Sequence, residues 1–267
     1  GVDVADVDRD GYDDLFVVDM LSREHALRQV QVMDSAPVAA ADPGAIDRPQ
    51  SSRNTLLRNR GDETYAELAR FAGVEASEWS WCPAFLDVDL DGFEDLLITT
   101  GHGRDAQNAD VAAALDGVRR GQRITFGERL QLRSQFKPLL VPNVAFRNRG
   151  NSTFEDSGLA WGFDSRRISQ GMALADLDGD GDLDVVLNCL NDGPLVYRNE
   201  APAARVAVRL RGRSPNTQGI GAQVCIRAPG LPRQCQELIS GGRYLSSDEP
   251  LRTFAAGGSG GPVTVEV

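Results

Sequence analysis

Three short segments of the chain concentrate carboxylates at a spacing suited to a hard cation. The first contains Asp6, Asp8, Asp10, Gly11, Tyr12 and Asp14. The second contains Asp87, Asp89, Asp91, Gly92, Phe93 and Asp95, and the third Asp176, Asp178, Asp180, Gly181, Asp182 and Asp184. The shared pattern is D-x-D-x-D-G-x-x-D, with starts 81 and 89 residues apart. Acids at positions 1, 3 and 5 converge on one point when such a loop curls. Glycine at position 6 permits the sharp turn, position 7 offers its backbone carbonyl, and Asp at position 9 can close the cage. These are oxygen ligands, which suit Ca²⁺ with its six to eight oxygens better than Zn²⁺. Without a cation the carboxylates repel: one pair at about 4 Å costs on the order of 4 kcal/mol at an effective dielectric near 20. About three Ca²⁺ ions per chain are therefore expected.

An EF-hand would need a bidentate Glu at position 12 and flanking helices. Position 12 here is Val17, Ile98 and Leu187, inside the runs Leu-Phe-Val-Val, Leu-Leu-Ile-Thr and Val-Val-Leu-Asn. Those β-rich apolar runs predict strands, so the EF-hand fails three times, and dockerin-type loops fail with it.

The elements that position the loops also repeat. Asn54-Thr-Leu-Leu-Arg-Asn59-Arg-Gly61 recurs as Asn143-Val-Ala-Phe-Arg-Asn148-Arg-Gly150, each followed by Thr and an aromatic residue. Asn-x-Gly between alternating runs signals a hairpin. A shorter copy, Leu195 to Asn199, follows the third loop. The unit reads strand, Asp loop, strand, connection, strand, hairpin turn, strand. Four antiparallel strands repeated along a chain predict an all-β fold of β-propeller blades. The connections at about 21–53 and 101–142 are long and carry helical signals, and long connections of this kind often serve function. Leu21, Leu27 and Val30 suggest a short helix before a Pro/Ala-rich loop. Val111, Leu115 and Val118 suggest another, with Asn108 or Asp110 as cap and Gly121 as stop.

The chain has 267 residues, 41% hydrophobic and 25% charged, enough for a real core. Its net charge of −11 disfavours nucleic acid as a partner. Twelve of its 39 acidic residues occupy the pattern positions, and three divalent cations would bring the net to about −5. With two histidines and no CxxC pair, zinc is not expected. Cys225 and Cys235 flank the turn Ala228-Pro229-Gly230-Leu231-Pro232 and face each other if it closes a hairpin, as a disulfide or as two buried thiols. Cys82 and Cys189 are expected to be buried singles. No run of 18 apolar residues exists, so no membrane span is expected. The start at Gly1, without Met and five residues before an Asp loop, suggests the interior of a longer protein.

Other motifs carry less. Gly257-Gly-Ser259-Gly-Gly261 fits the G-x-S-x-G spacing but leads from a loop into a strand, where a nucleophile elbow needs strand and then helix. His25 and His102 lack catalytic partners. Arg60-Gly61-Asp62 falls in a hairpin turn and is read as that turn. Trp79 and Trp81 share a face and are read as packing residues.

With these residues in view, the three loops resemble FG-GAP/VCBS repeats, the calcium-bearing blades also found in integrin α-subunits. The Asn-x-x-x-Arg-Asn-x-Gly hairpins are similar to those of bacterial proteins resembling cartilage acidic protein. Arg205 to Gly212, Asn216, Gly219-Ile-Gly-Ala222, Ser240 to Ser246 and Glu249 resemble the UnbV/ASPIC domain. The resemblance implies a propeller portion over 1–200 and a small β domain over 201–267. It implies cation ligation by Asp6, Asp8, Asp10, Asp14 and the Tyr12 carbonyl. The second set is Asp87, Asp89, Asp91, Asp95 and the Phe93 carbonyl, and the third Asp176, Asp178, Asp180, Asp184 and Asp182. Family propellers have about seven blades, and three cannot close a ring, so both ends are expected to be incomplete. The expected function is a non-enzymatic scaffold whose rim loops meet a protein partner or a larger assembly in the periplasm, at the cell surface or outside the cell. The alternative is an extracellular carbohydrate-binding or polysaccharide-active protein, with a glycan as partner.

Overall fold

The computed structural model describes residues 1–31, 52–119, 125–258 and 260–267. The Pro/Ala-rich part of the first connection, the proposed stop at Gly121 and Ser259 lie outside the described residues, as does the side chain of Val118.

Two of the repeats fold as four-stranded antiparallel meanders. The first joins β1 (Val2–Ala5), β2 (Asp14–Val17), β3 (Thr55–Asn59) and β4 (Tyr65–Glu67) in sequence order. The second joins β5 (Ser80–Leu86), β6 (Asp95–Thr100), β7 (Val144–Asn148) and β8 (Phe154–Asp156) in the same way. Equivalent residues pair at equivalent registers: Ala5 faces Asp14 and Leu86 faces Asp95, so each Asp loop closes the first hairpin of its sheet.

The third repeat departs from the four-strand expectation. It has three strands, β9 (Ser169–Ala175), β10 (Asp184–Cys189) and β11 (Leu195–Tyr197). After Arg198-Asn199 the sequence reads Glu-Ala-Pro-Ala-Ala, with no turn glycine and no Thr-aromatic pair. A hairpin cannot close there, and the chain runs on into β12 (Arg205–Val208) instead.

The sheets stack face to face. On β6, Leu96 and Ile98 point into a core shared with the first sheet, which includes Phe16, Leu56, Phe85, Val144 and Phe146. Leu97, between them, points into the core shared with the third sheet, with Ala84, Ala145, Met172, Leu174 and Leu187. The middle sheet is covered on both sides, which is why β6 is buried throughout and shows no polar alternation. Each large side chain buried this way contributes about 1.5–3 kcal/mol. The leading strands of successive sheets also touch, β1 beside β5 and β5 beside β9.

The connections carry α1 (His25–Val30), α2 (Ala69–Ala72), α3 (Ala109–Arg119) and α4 (Phe126–Arg133). Asn108 caps α3, its Oδ1 accepting from the Val111 N–H at 3.1 Å. The helix α4 is additional to the sequence reading, although its capping box of Thr125 and Glu128 is written in the chain. Both hairpin turns form as expected, with Gly61 and Gly150 at positive φ. In the Arg60-Gly61-Asp62 turn the Asp62 carboxylate accepts from the Thr64 N–H at 3.1 Å, as Asn151 does from Thr153 in the next repeat. Trp79 and Trp81 both stack on the His102 ring, and Trp81 also meets Tyr244.

The C-terminal portion is also β. β12 pairs with β17 (Arg252–Ala255), and β13 (Gln223–Arg227) lies between β14 (Gln234–Glu237) and β18 (Thr264–Glu266). A small ladder joins β15 (Gly242–Arg243) to β16 (Ser246–Ser247). Val224, Ile226, Leu238 and Phe254 form its core. Cys225 and Cys235 sit directly opposite on β13 and β14 and form a disulfide, while Cys82 and Cys189 are buried and free. No helix among the described residues is long and apolar enough to cross a membrane.

Candidate metal centres

The three Asp loops share one hydrogen-bond plan. Position 1 accepts at both oxygens: Asp6 from the N–H groups of Asp10 and Gly11 (both 3.0 Å), Asp87 from Asp91 and Gly92 (3.0 and 2.9 Å), Asp176 from Asp180 and Gly181 (both 3.1 Å). Position 5 accepts from the N–H of position 7, as Asp10 from Tyr12, Asp91 from Phe93 and Asp180 from Asp182. Position 9 ties the loop to the sheet. Asp14 accepts from Val7 and Asn59, Asp95 from Val88 and Asn148, and Asp184 from Leu177 and Asn199. The glycine at position 6 is needed: Gly11, Gly92 and Gly181 have φ of 95°, 98° and 94°, where a side chain is strained.

Carboxylate oxygens of Asp6, Asp8 and Asp10 lie within 4.8 Å of one another, as do those of Asp87, Asp89 and Asp95, and of Asp176, Asp178 and Asp180. Asp14, Asp91 and Asp184 belong to the same loops but stand outside these tightest groups. Asp14 and Asp184 are held by two backbone N–H groups each, and Asp91 by Phe93 and Arg147. In the third loop, Asp182 turns its side chain to Arg205 (2.6 Å).

Sequence reasoning left the arginines of the Arg-Asn pairs without a role. The structure puts all three on the loops. Arg58 pairs with Asp8 and Asp10, Arg147 with Asp89 (2.6 Å) and Asp91 (3.2 Å), and Arg198 with Asp178 (2.6 Å). The threefold recurrence of Arg-Asn was the signal that could have found them.

These arginines leave part of the charge unmet. Asp8 Oδ1 and Asp89 Oδ1, both at position 3, are buried and without a hydrogen-bond partner. A buried acceptor without a partner costs about 1–3 kcal/mol, more for a charged group. Burial also pushes the Asp14 and Asp87 carboxyls up to about 7 and Asp95 to about 9, only partly offset by their backbone N–H partners. Hard oxygen donors, orphaned inward oxygens and disfavoured ionisation together fit a divalent cation.

Comparison with known families matches residues 141–187 to the FG-GAP-like repeat and residues 212–267 to ASPIC and UnbV. Residues 141–187 thus carry an FG-GAP-like repeat, and residues 212–267 an ASPIC and UnbV domain. The FG-GAP match spans β7 to the middle of β10 and contains the third Asp loop. The other two loops share its bonds at positions 1, 5 and 9, while the third loop adds bonds from the Gly179 N–H to Asp176 (2.8 Å) and from the Asp180 N–H to Asp178 (3.3 Å). No curated protein matches the chain.

The C-terminal β portion, from β12 onward, meets that third loop. Arg205 Nη2 reaches Asp180 at 3.0 Å, and Thr253 Oγ1 donates to the Gly181 carbonyl at 2.9 Å. Asp248 and Glu249 accept from the N–H groups of Leu174 and Asp176, each at 3.0 Å, along β9.

Proposed function

We propose that this chain is a calcium-binding, non-enzymatic scaffold of the β-propeller type, which presents its insertions to a protein partner outside the cytoplasm. One observation carries the reading: the same buried carboxylate oxygen at position 3 stands without a partner in two loops of identical design. A cation held by Asp6, Asp8, Asp10 and Asp14, and by the corresponding residues of the other loops, relieves that cost. The Tyr12, Phe93 and Asp182 carbonyls complete the sets. When bound, Ca²⁺ supplies charge neutralisation and rigidity, so binding becomes part of folding.

Stacked four-stranded meanders whose leading strands sit side by side support the propeller reading. Location follows from two properties: millimolar calcium is found outside the cytoplasm, and the Cys225–Cys235 disulfide suits an oxidising compartment. The interaction role rests on the insertions around α1 and around α3 and α4, which leave the sheets as long excursions. Trp79 and Trp81 stack on His102, and Trp81 packs at a tilt against Tyr244, which favours packing over a sugar platform.

The test is metal content and thermal unfolding in millimolar calcium and in excess chelator. About three ions per chain and a calcium-dependent rise in midpoint are expected. No bound metal and no shift would reduce the loops to turns. A glycan array separates the protein-partner reading from the carbohydrate one.

A further inference from the structure

Beyond shaping each loop, the hairpin asparagines join one loop to the next. The Asn148 amide donates to the Val7 carbonyl of the first loop at 2.8 Å and to the Glu94 carbonyl of its own repeat at 3.0 Å. The Asn199 amide donates to the Val88 carbonyl of the second loop at 3.0 Å. Val7 and Val88 hold position 2, so these bonds fix the peptides that carry Asp8 and Asp89, the two ligands with orphaned oxygens. The backbone N–H groups of the same asparagines donate to Asp95 and Asp184, both at 2.8 Å. Val7 and Val88 in turn donate to Asp14 and Asp95. A hydrogen-bonded path therefore runs from Asp14 through Val7, Asn148, Asp95, Val88 and Asn199 to Asp184. The side-chain amide of Asn59, the equivalent residue of the first repeat, donates to the Asp13 carbonyl beside it, at 3.3 Å.

A second strut spans the first junction. Arg9, at position 4 of the first loop, donates from Nε to the Gly92 carbonyl at 2.6 Å and pairs with Glu94 at 2.7 Å, with both side chains at most 5% exposed. The corresponding positions of the second junction are Leu90 and Leu183, both buried. Of these two links between Asp loops, the asparagine one is common to both junctions.

We infer that Asn148 and Asn199 are positioning residues through which a cation at one loop strengthens cation binding at the preceding loop, so that the three sites fill cooperatively. This rests on the calcium reading above. A cation that orders Asp95 also orders the N–H of Asn148, and with it the amide that holds the peptide before Asp8. Both sites then bias one shared arrangement, which is what coupling requires.

Calcium titration of the whole chain, followed through the amide resonances of Gly11, Gly92 and Gly181, reads each loop separately. Silencing the second loop with Asp89→Asn and Asp91→Asn is expected to weaken the first loop by about five-fold or more. In an Asn148→Ala background the same silencing leaves the first loop unmoved, closing a double-mutant cycle. Asn148 is buried; Asn199→Ala, at a half-buried site, repeats the test one junction on and weakens the second loop. Asn59→Ala, which lacks the inter-loop bond, leaves the second and third loops unchanged. Three ions binding with independent affinities would overturn the coupling and leave the calcium reading standing. So would an Asn148→Ala variant that weakens all three loops alike. A wild-type chain that binds no ion would remove both.

Discussion

Replacing Asp89 by asparagine is expected to change sign with calcium. Asp89 Oδ2 accepts from Arg147 Nε at 2.6 Å, while Oδ1 is buried and unpartnered. Without calcium, the substitution removes a buried charged acceptor that costs about 1–3 kcal/mol. The amide also brings a donor towards Asp87 and Asp95, whose oxygens lie within 4.8 Å. Against this stands the ion pair with Arg147, whose side chain is 44% exposed; a pair that open contributes at most about 1 kcal/mol. Calcium-free stability should therefore hold or rise by about 1–2 kcal/mol. With calcium at a hundred times its dissociation constant, a lost site forfeits about 2.7 kcal/mol, or about 5–11 °C in midpoint for a domain of this size. Urea unfolding of both proteins in chelator and in calcium measures the two numbers. Equal destabilisation in the two conditions would mean that Asp89 serves the fold alone, and the cation argument would fail.

Three other outcomes follow from the same geometry. Asp14, Asp87 and Asp95 titrate near 7, 7 and 9 in the calcium-free fold, against about 4 unfolded. The native state then holds more protons than the unfolded state between those values, so calcium-free stability falls as pH rises from about 4 to about 7, and on towards 9 for Asp95. Calcium needs the ionised form, so binding at pH 7 should release protons, and calorimetry in buffers of different ionisation enthalpy counts them; zero release contradicts the argument. Arg205→Met strands the Asp182 carboxylate, which is 1% exposed, and should destabilise by about 3–5 kcal/mol; adding Asp182→Asn should recover most of that in the same unfolding assay. Serine at both Cys225 and Cys235 opens a link across ten residues and should cost about 3 kcal/mol or less, by the same amount with and without calcium.

Much of the fold could be read from local chemistry. The D-x-D-x-D-G loops and the Asn-x-Gly turns close hairpins through contacts a few residues apart, and their repetition gave the unit. What escaped depended on distant partners. The third sheet lacks a fourth strand because the residues after Asn199 form no turn, a negative signal that a shorter copy of the motif only hinted at. The helix α4 carries a readable capping box but a weak apolar stripe, with Phe126 and Leu130 exposed. The role of Arg58, Arg147 and Arg198 required knowing that β3, β7 and β11 run beside the Asp loops. The link from Asn148 to Val7 spans 141 residues, and no spacing rule reaches that far. Cys225 and Cys235 were readable because one hairpin brings them together.

The arginines explain why so dense a set of acids can share a loop at all. Each pairs with outward oxygens at position 3, and Arg58 and Arg147 also reach position 5, leaving the inward oxygens facing one another. Exposed on one side, such pairs hold the carboxylates in place at little net gain. Their positive charge lies on the rim of the cage, so it lowers the repulsion between acids without occupying the centre. A lysine would make a poorer substitute, because its single ammonium cannot span two carboxylates in one plane. The division of labour is then geometric. Backbone N–H groups fix positions 1 and 9, arginine fixes the outer edge of position 3, and in the first two loops the inner position-3 oxygen is left buried without a partner. The same division accounts for the third loop, where Arg205 from β12 takes Asp180 and Asp182. There β12 adds its counter-charge to that of Arg198, so the loop within the FG-GAP match is also where the C-terminal β portion meets the repeats.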